Sequence, residues 1–228
     1  MFPDLTHRSL ELERLDTGDY TEAEYARWQR EMYYINRLLG DTRCLTRAIR
    51  ETLRESQSRS ISILDVGTGS GELLEVAGET LKGDSPLLVG VDINRTSVRT
   101  VAERAGIEAI QGDALALPFS DSSFDLVVCS LFLHHLTDYA AVNLICEMQR
   151  VARLRFVIID LHRHALAYFL YRLVGKLALQ KFTLDDGSLS IRRSFRPDEL
   201  LALAQCAGVE NADVRRRAAF RLVLSGSK

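Results

Sequence analysis

Cysteine is scarce and scattered. The four thiols, Cys44, Cys129, Cys146 and Cys206, include no C-x-x-C pair, so free buried thiols in a reducing, cytoplasmic setting are expected. An excess of either charge is missing too. Lys and Arg number 29 against 31 Asp and Glu, a net of −2, which exerts no global pull toward nucleic acid or acidic membranes. Long apolar runs are absent: the stretch 165–174 is interrupted by Arg172 and followed by Lys176, and is too short for stable insertion in a bilayer. The opening residues, MFPDLTHRSLELERLD, lack the basic-then-apolar pattern of a signal peptide. Histidines and acids form no closed ligand set at an established metal spacing, so no metal is expected. With 46 % hydrophobic and 26 % charged residues in 228, the chain suits one soluble domain with an elaboration.

What is present centres on residues 61–74, ISILDVGTGSGELL. An apolar run reaches an acid, Asp65, and then three glycines, Gly67, Gly69 and Gly71, alternate with small polar residues before a helix-compatible stretch. A short apolar run ahead of a glycine loop is the pattern of a buried parallel strand turning into a helix. Glycine permits positive φ and lets a ligand approach bare backbone, and the helix start offers unpaired N–H groups. An ordinary strand–helix turn would need one glycine, not three. The spacing selects the ligand. A dinucleotide fingerprint places its third glycine three residues after the second, where this chain has Glu72. No Gly-Lys-Ser/Thr follows, which excludes a P-loop. An acid two residues before the first glycine repels a pyrophosphate and favours a cationic or zwitterionic nucleoside.

A second apolar run, LLVGVDIN at 87–94, also ends in an acid. Asp92 stands 25 positions beyond Gly67, the usual strand–helix–strand spacing, where a carboxylate can accept both hydroxyls of a ribose. The competing reading of Asp92 is a cap for the helix that follows. Strands are also expected near 107–110, 124–130 and 154–160.

The string D-x-G-x-G-x-G resembles motif I of the class I S-adenosyl-L-methionine (SAM)-dependent methyltransferases, small-molecule type. Residues 112–136, GDALALPFSDSSFDLVVCSLFLHHL, are similar to motifs II to IV of that family. The resemblance implies a Rossmann-like α/β fold of seven strands, mostly parallel with the last antiparallel, and SAM as cofactor with S-adenosyl-L-homocysteine as product. It implies Asp113 as acceptor of the adenine amino group and Ala114 as backbone donor beside it. Thr68, Ile93 and Ser130 fall on the cofactor side with Asp65, Gly67, Gly69, Gly71 and Asp92. No D/N-P-P-Y/F string follows strand four, which argues against nucleic-acid methylation.

Methyl transfer depends mostly on alignment, and a hydroxyl nucleophile gains further from a base. His134 and His135 follow the fourth strand, where an open parallel sheet places reacting groups. His162 starts just past the fifth. These three are the candidate bases, against the alternative that the pair lines the cofactor pocket or caps a helix beginning near Thr137. The expected segments are a helical cap (1–58), a SAM-binding core (59–161), a helical, substrate-side insert (162–196), and a closing helix with two edge strands (197–228). Within the cap, residues 1–20 are expected to pack loosely. A capping box at Thr21 and Glu24 starts one helix, which Gly40 ends, and a second runs over about 41–55. The insert reads as a core helix or an apolar lid, the lid being preferred. It resembles a bacterial subgroup whose genes often neighbour polyketide-type biosynthetic genes. The expected function is O-methylation of a phenolic or polyketide-type small molecule by a monomer or homodimer. C-methylation of a quinol-like ring, or SAM binding without turnover, are the alternatives.

Overall fold

The computed structural model describes residues 3–58 and 60–228. Met1, Phe2 and Arg59, which the expected segments include, lie outside the described residues. The strands are β1 (Ser62–Val66), β2 (Leu87–Asp92), β3 (Glu108–Gln111), β4 (Phe124–Ser130), β5 (Ala152–Leu161), β6 (Asp213–Arg217) and β7 (Arg221–Ser227). They form one seven-stranded sheet in the order β3-β2-β1-β4-β5-β7-β6. The first five pair in parallel, and β7 runs antiparallel to β5 and to β6. The closing pair departs from the sequence expectation in one respect: only β6 is an edge. Leu222 and Leu224 of β7 are fully buried, and their burial is secured by placing β7 between β5 and β6.

The helices before β2 are α1 (Arg14–Thr17), α2 (Glu22–Leu39), α3 (Asp41–Ser56) and α4 (Glu72–Thr80). Those after it are α5 (Arg95–Ala102), α6 (Asp138–Val151), α7 (Ala165–Ala178), α8 (Lys181–Arg193) and α9 (Pro197–Cys206). Alternate residues of each strand serve opposite faces of the sheet, which is why the apolar runs are continuous. Ile63, Val128, Val157 and Ile159 pack with Leu45 and Ile49 of α3, Leu74 of α4 and Val101 of α5. Leu64, Val127, Cys129 and Ile158 pack with Leu144 and Met148 of α6 and Leu200 of α9. Strand order reverses between β1 and β4, so a crevice opens beyond their carboxyl ends.

The N-terminal helices form as the sequence indicates. Thr21 Oγ1 accepts the Glu24 N–H at 3.2 Å, Glu24 Oε2 accepts the Thr21 N–H at 2.8 Å, and Gly40 at φ +98° ends α2. The segment ahead of them is largely exposed but is anchored at several points. Arg8 donates to the carbonyls of His134 and Leu136 and covers the Phe195 ring at 3.7 Å. Asp186 of α8 accepts the N–H groups of Arg14 and Leu15 at 3.1 and 2.9 Å. Several charged side chains here are partnered, among them Arg8, Arg14 and the buried Glu13. The insert after β5 is a helical pair. Its first helix, α7, is no core helix: Leu166, Phe169, Leu173 and Leu177 are exposed. Its second, α8, buries Phe182, Leu184 and Ile191 with the polar Asp186, Ser190 and Arg193. Among the described residues, no helix is long and apolar enough to cross a membrane.

One buried ion pair ties the cap to the far side of the sheet. Arg221, opening β7, donates to Asp41, opening α3, through Nε–Oδ1 at 2.7 Å and Nη2–Oδ2 at 2.8 Å, and both side chains are buried. Breaking one partner strands the other charge. Asp41→Ala should therefore cost about 3–5 kcal/mol in urea unfolding, and the double variant Asp41→Leu/Arg221→Met should recover most of it.

Candidate functional site

A cavity of about 1960 Å³ lies beyond the carboxyl ends of β1, β2 and β4. Single-ligand sites run to roughly 300–1,000 Å³, so this one has room for two ligands. Asp65, Gly67, Thr68, Gly69 and Asp92 line one side, and Ser130, His134, His135 and His162 another. The glycine loop is a cradle. Gly67 and Gly69 hold φ +71° and +54°; a Cβ on Gly67 would press on the Phe132 ring at 3.2 Å, whereas one on Gly69 would enter open space. Asp92 Oδ2 accepts the Gly69 N–H at 2.9 Å and Oδ1 the Asn94 N–H at 2.8 Å. Each oxygen keeps a second lone pair for a ligand.

Asp65 is buried, with Thr68 Oγ1 donating to its Oδ2 at 2.9 Å. Burial, reinforced by the charge of Asp92 against that hydrogen bond, pushes its carboxyl up to about 7. No cationic side chain among the described residues offsets this, so a ligand carrying positive charge would. A bare loop, a strand-end carboxylate with spare lone pairs and an uncompensated buried acid together fit a zwitterionic sulfonium nucleoside.

Four of the expected cofactor residues do not line this cavity. Gly71 caps α4 at φ +78°, and a Cβ there would meet Val101 at 2.9 Å; its smallness serves α4–α5 packing. The Ile93 side chain points to solvent, 69 % exposed. Asp113 is exposed and its Oδ1 accepts the Leu115 N–H at 2.8 Å, while Ala114 packs on the core. Both sit next to Asp92, whose carbonyl accepts the Gly112 N–H at 3.1 Å. The strand-end acids thus divide, with two in the cavity and the third at the neighbouring strand tip.

The opposite wall is built on the turn after β4. Leu131 adopts φ +51°, a strained value for a non-glycine, and the following turn, Leu133–His135, is anchored by Asp160 at the end of β5. Asp160 Oδ2 accepts the His134 N–H at 3.0 Å, and Oδ1 lies 2.7 Å from His134 Nδ1. A carboxylate only accepts, so Nδ1 carries a proton and Nε2 is the nitrogen left to exchange one. Burial raises the Asp160 carboxyl, but the charge and hydrogen bond of His134 outweigh it and hold the value low. His135 is fixed the same way by Asp16 at 2.9 Å. Burial works against the Asp16 carboxylate, yet the His135 contact and Arg193 hold it well below its ordinary range. His162 donates its backbone N–H to Phe220, and burial, with the neighbouring charges of Arg216 and Arg196 and of His164 when protonated, depresses its imidazole to about 4. That low value makes it a poor base.

Glu13, Asp16, Asp160 and Arg193 escaped the sequence reading. They arrive from α1 and its approach, from β5 and from α8, so no local spacing marks them. Glu13, His134 and His135 bring one possible metal-ligand atom each within 4.8 Å. Arg193, 4.0 Å from Glu13 Oε1 and paired with Asp16, already supplies positive charge there. Tyr20, Tyr25 and Trp28 also line the cavity as a stack, with centroids 5.2 and 5.6 Å apart.

Comparison with known proteins agrees with this geometry. Residues 63–172 match the family described as "Methyltransferase domain". A demethylmenaquinone methyltransferase of Roseiflexus sp. (strain RS-1) is 31 % identical over 170 residues, covering 67 % of this chain and 69 % of the relative. A ubiquinone biosynthesis O-methyltransferase of Ralstonia nicotianae is 32 % identical over 164 residues, covering 67 % of this chain and 64 % of that one. A second demethylmenaquinone methyltransferase, from Roseiflexus castenholzii, is 42 % identical over 93 residues, and there the match spans 37 % of the relative's length. Among solved structures, the plantazolicin methyltransferase BpumL in complex with S-adenosyl-L-homocysteine superposes with a TM-score of 0.66 at 14 % identity, over 87 % of this chain and 88 % of that one. The chain belongs to the class I SAM-dependent methyltransferases. It is an enzyme of that class, with SAM as its cofactor.

The raised Asp65 carboxyl makes stability depend on pH. Its folded value exceeds that of the unfolded chain, so the folded state holds an extra proton between about pH 4 and about pH 7. The resulting stability is complete below that window and is lost as pH rises through it. Asp65→Asn should flatten the decline by on the order of 1 kcal/mol or more, read as urea midpoints of the cofactor-free protein at about pH 5 and about pH 8.

Proposed function

We propose that this cytoplasmic enzyme methylates a hydroxyl-bearing aromatic small molecule, at the phenolic oxygen, and that His134 is the base. The observation that carries this is His134 itself. Its Nδ1 is held by the buried Asp160, so Nε2 is the nitrogen left to exchange a proton, in a cavity shared with the glycine loop. The Tyr20–Tyr25–Trp28 stack offers flat apolar walls suited to an aromatic ring. On the cofactor side, Asp92 receives the ribose hydroxyls, Asp65 and the loop face the charged amino-acid end, and Asp113 with Ala114 meets the adenine edge. SAM, when bound, supplies an electrophilic methyl and a neutral thioether leaving group. The chain's part is to align the acceptor and to take a proton at Nε2. The insert helix α7, whose Leu170 and Val174 line the cavity, closes over the acceptor and excludes water.

A second reading is C-methylation of a quinol-like ring, favoured by the demethylmenaquinone methyltransferase relatives. It requires the same deprotonation, since charge delocalised from the ring oxygen makes the ring carbon nucleophilic. Incubation with a panel of phenols, catechols and quinols, read by mass spectrometry and NMR, separates the two. O-methyl ethers are expected, and ring-methyl products alone would decide for the second. Asp92→Ala should weaken S-adenosyl-L-homocysteine binding by about 1.5–3 kcal/mol in calorimetry. His134→Ala should leave that affinity nearly unchanged and cut turnover roughly 100-fold or more.

A further inference from the structure

The N-terminal segment reaches the acceptor side of the cavity with a group the transfer has not yet used. Glu13 is buried, and its carboxylate lines the cavity. Oε1 lies 3.9 Å from His134 Nε2. That gap is too long for a hydrogen bond, yet one oxygen atom placed about 2.8 Å from each would bridge it. The groups facing Glu13 come from four elements: Asp16 from α1, His134 and His135 from the turn after β4, Tyr171 from α7, and Ser190 and Arg193 from α8. Ser190 Oγ holds Oε1 at 2.9 Å, and Arg193 Nε stands 4.0 Å away.

We propose that the acceptor's reacting hydroxyl sits between Glu13 Oε1 and His134 Nε2 and gives its one proton to His134, Glu13 being the carboxylate that stabilises the imidazolium so formed. The proposal rests on the reading of methyl transfer to a hydroxylated ring. In the step, the acceptor O–H bond breaks, its electron pair stays on oxygen, and the proton passes to His134 Nε2. The imidazolium then lies between two carboxylates, Asp160 at Nδ1 and Glu13 at Nε2. Burial, opposed by the charge of His135 and by Ser190, raises the Glu13 carboxyl to about 7, so the seat gains its second negative charge as pH rises through neutrality.

Glu13→Gln keeps the shape and removes the charge. For wild type, kcat/KM with a phenol that the panel identifies should rise with pH through about 7. Glu13→Gln should change that limb, leaving the part that the His134 base sets, and lose at least about tenfold in kcat above it, while its affinity for S-adenosyl-L-homocysteine holds. Ser190→Ala keeps the carboxylate but removes a hydrogen bond that lowers its value, so the limb should move to higher pH. This covers the case of a poorly folded Glu13→Gln. Independently of turnover, 4-nitrophenol binding in the presence of S-adenosyl-L-homocysteine, measured calorimetrically in two buffers of different ionisation enthalpy, should exchange protons near pH 7 in wild type and not in Glu13→Gln. Identical pH profiles and proton exchange in the two would overturn the seat and leave the cofactor assignment standing. Wild type that fails to bind S-adenosyl-L-homocysteine would bring down both. Tight zinc binding lost in Glu13→Gln would make Glu13 a metal ligand and refute its role beside the base.

Discussion

A buried carboxylate has to be satisfied, and Asp160 is satisfied by the turn that carries the histidines. It takes the backbone N–H of His134, the ring N–H of the same residue and the N–H of Leu161. Three bonds to one buried anion fix the end of β5 against the turn after β4, and they fix which nitrogen of His134 is tied to it. Leaving such a group unpaired in the interior would cost several times what one surface hydrogen bond contributes. The strained φ of Leu131 is tolerated because this anchorage over-determines the turn.

The same logic of partnered burial runs through the polar contacts of α8. A helix with Asp186, Ser190 and Arg193 on its inner side would be a poor core element by itself. Each finds a partner: Asp186 the amides of Arg14 and Leu15, Ser190 the carboxylate of Glu13, Arg193 the carbonyls of His134 and His135. The insert therefore does for the start of the chain what Asp160 does for the histidine turn. Cofactor and acceptor walls are held by different means, backbone geometry on one side and charge pairing on the other.

This difference explains what could be read from sequence. The cofactor wall is encoded locally, in an apolar run, an acid and a glycine loop within fourteen consecutive residues, 61–74, and the sheet follows from repeating that unit. β4 and the capping box of α2 were legible for the same reason. Gly71 and Asp113 lie outside the cavity lining, because spacing alone does not tell a glycine that admits a ligand from one that admits a neighbouring helix, nor a strand-end acid in a crevice from one at its rim. The acceptor wall was largely illegible. Glu13 and Asp16 look like members of a solvated charge run, and only three-dimensional closure brings them to residues more than a hundred positions away. The one hint was a polar pattern at 185–194 in an otherwise apolar insert.

Packing the front of the chain against a late insertion has an evolutionary corollary. On the proposed reading, acceptor choice resides in two pieces far apart in the gene, which recombination between relatives would ordinarily separate. A chimaera that exchanges the glycine-loop core alone would inherit its parent's cofactor grip and no settled preference for what is methylated. The two outer pieces have to travel as a pair.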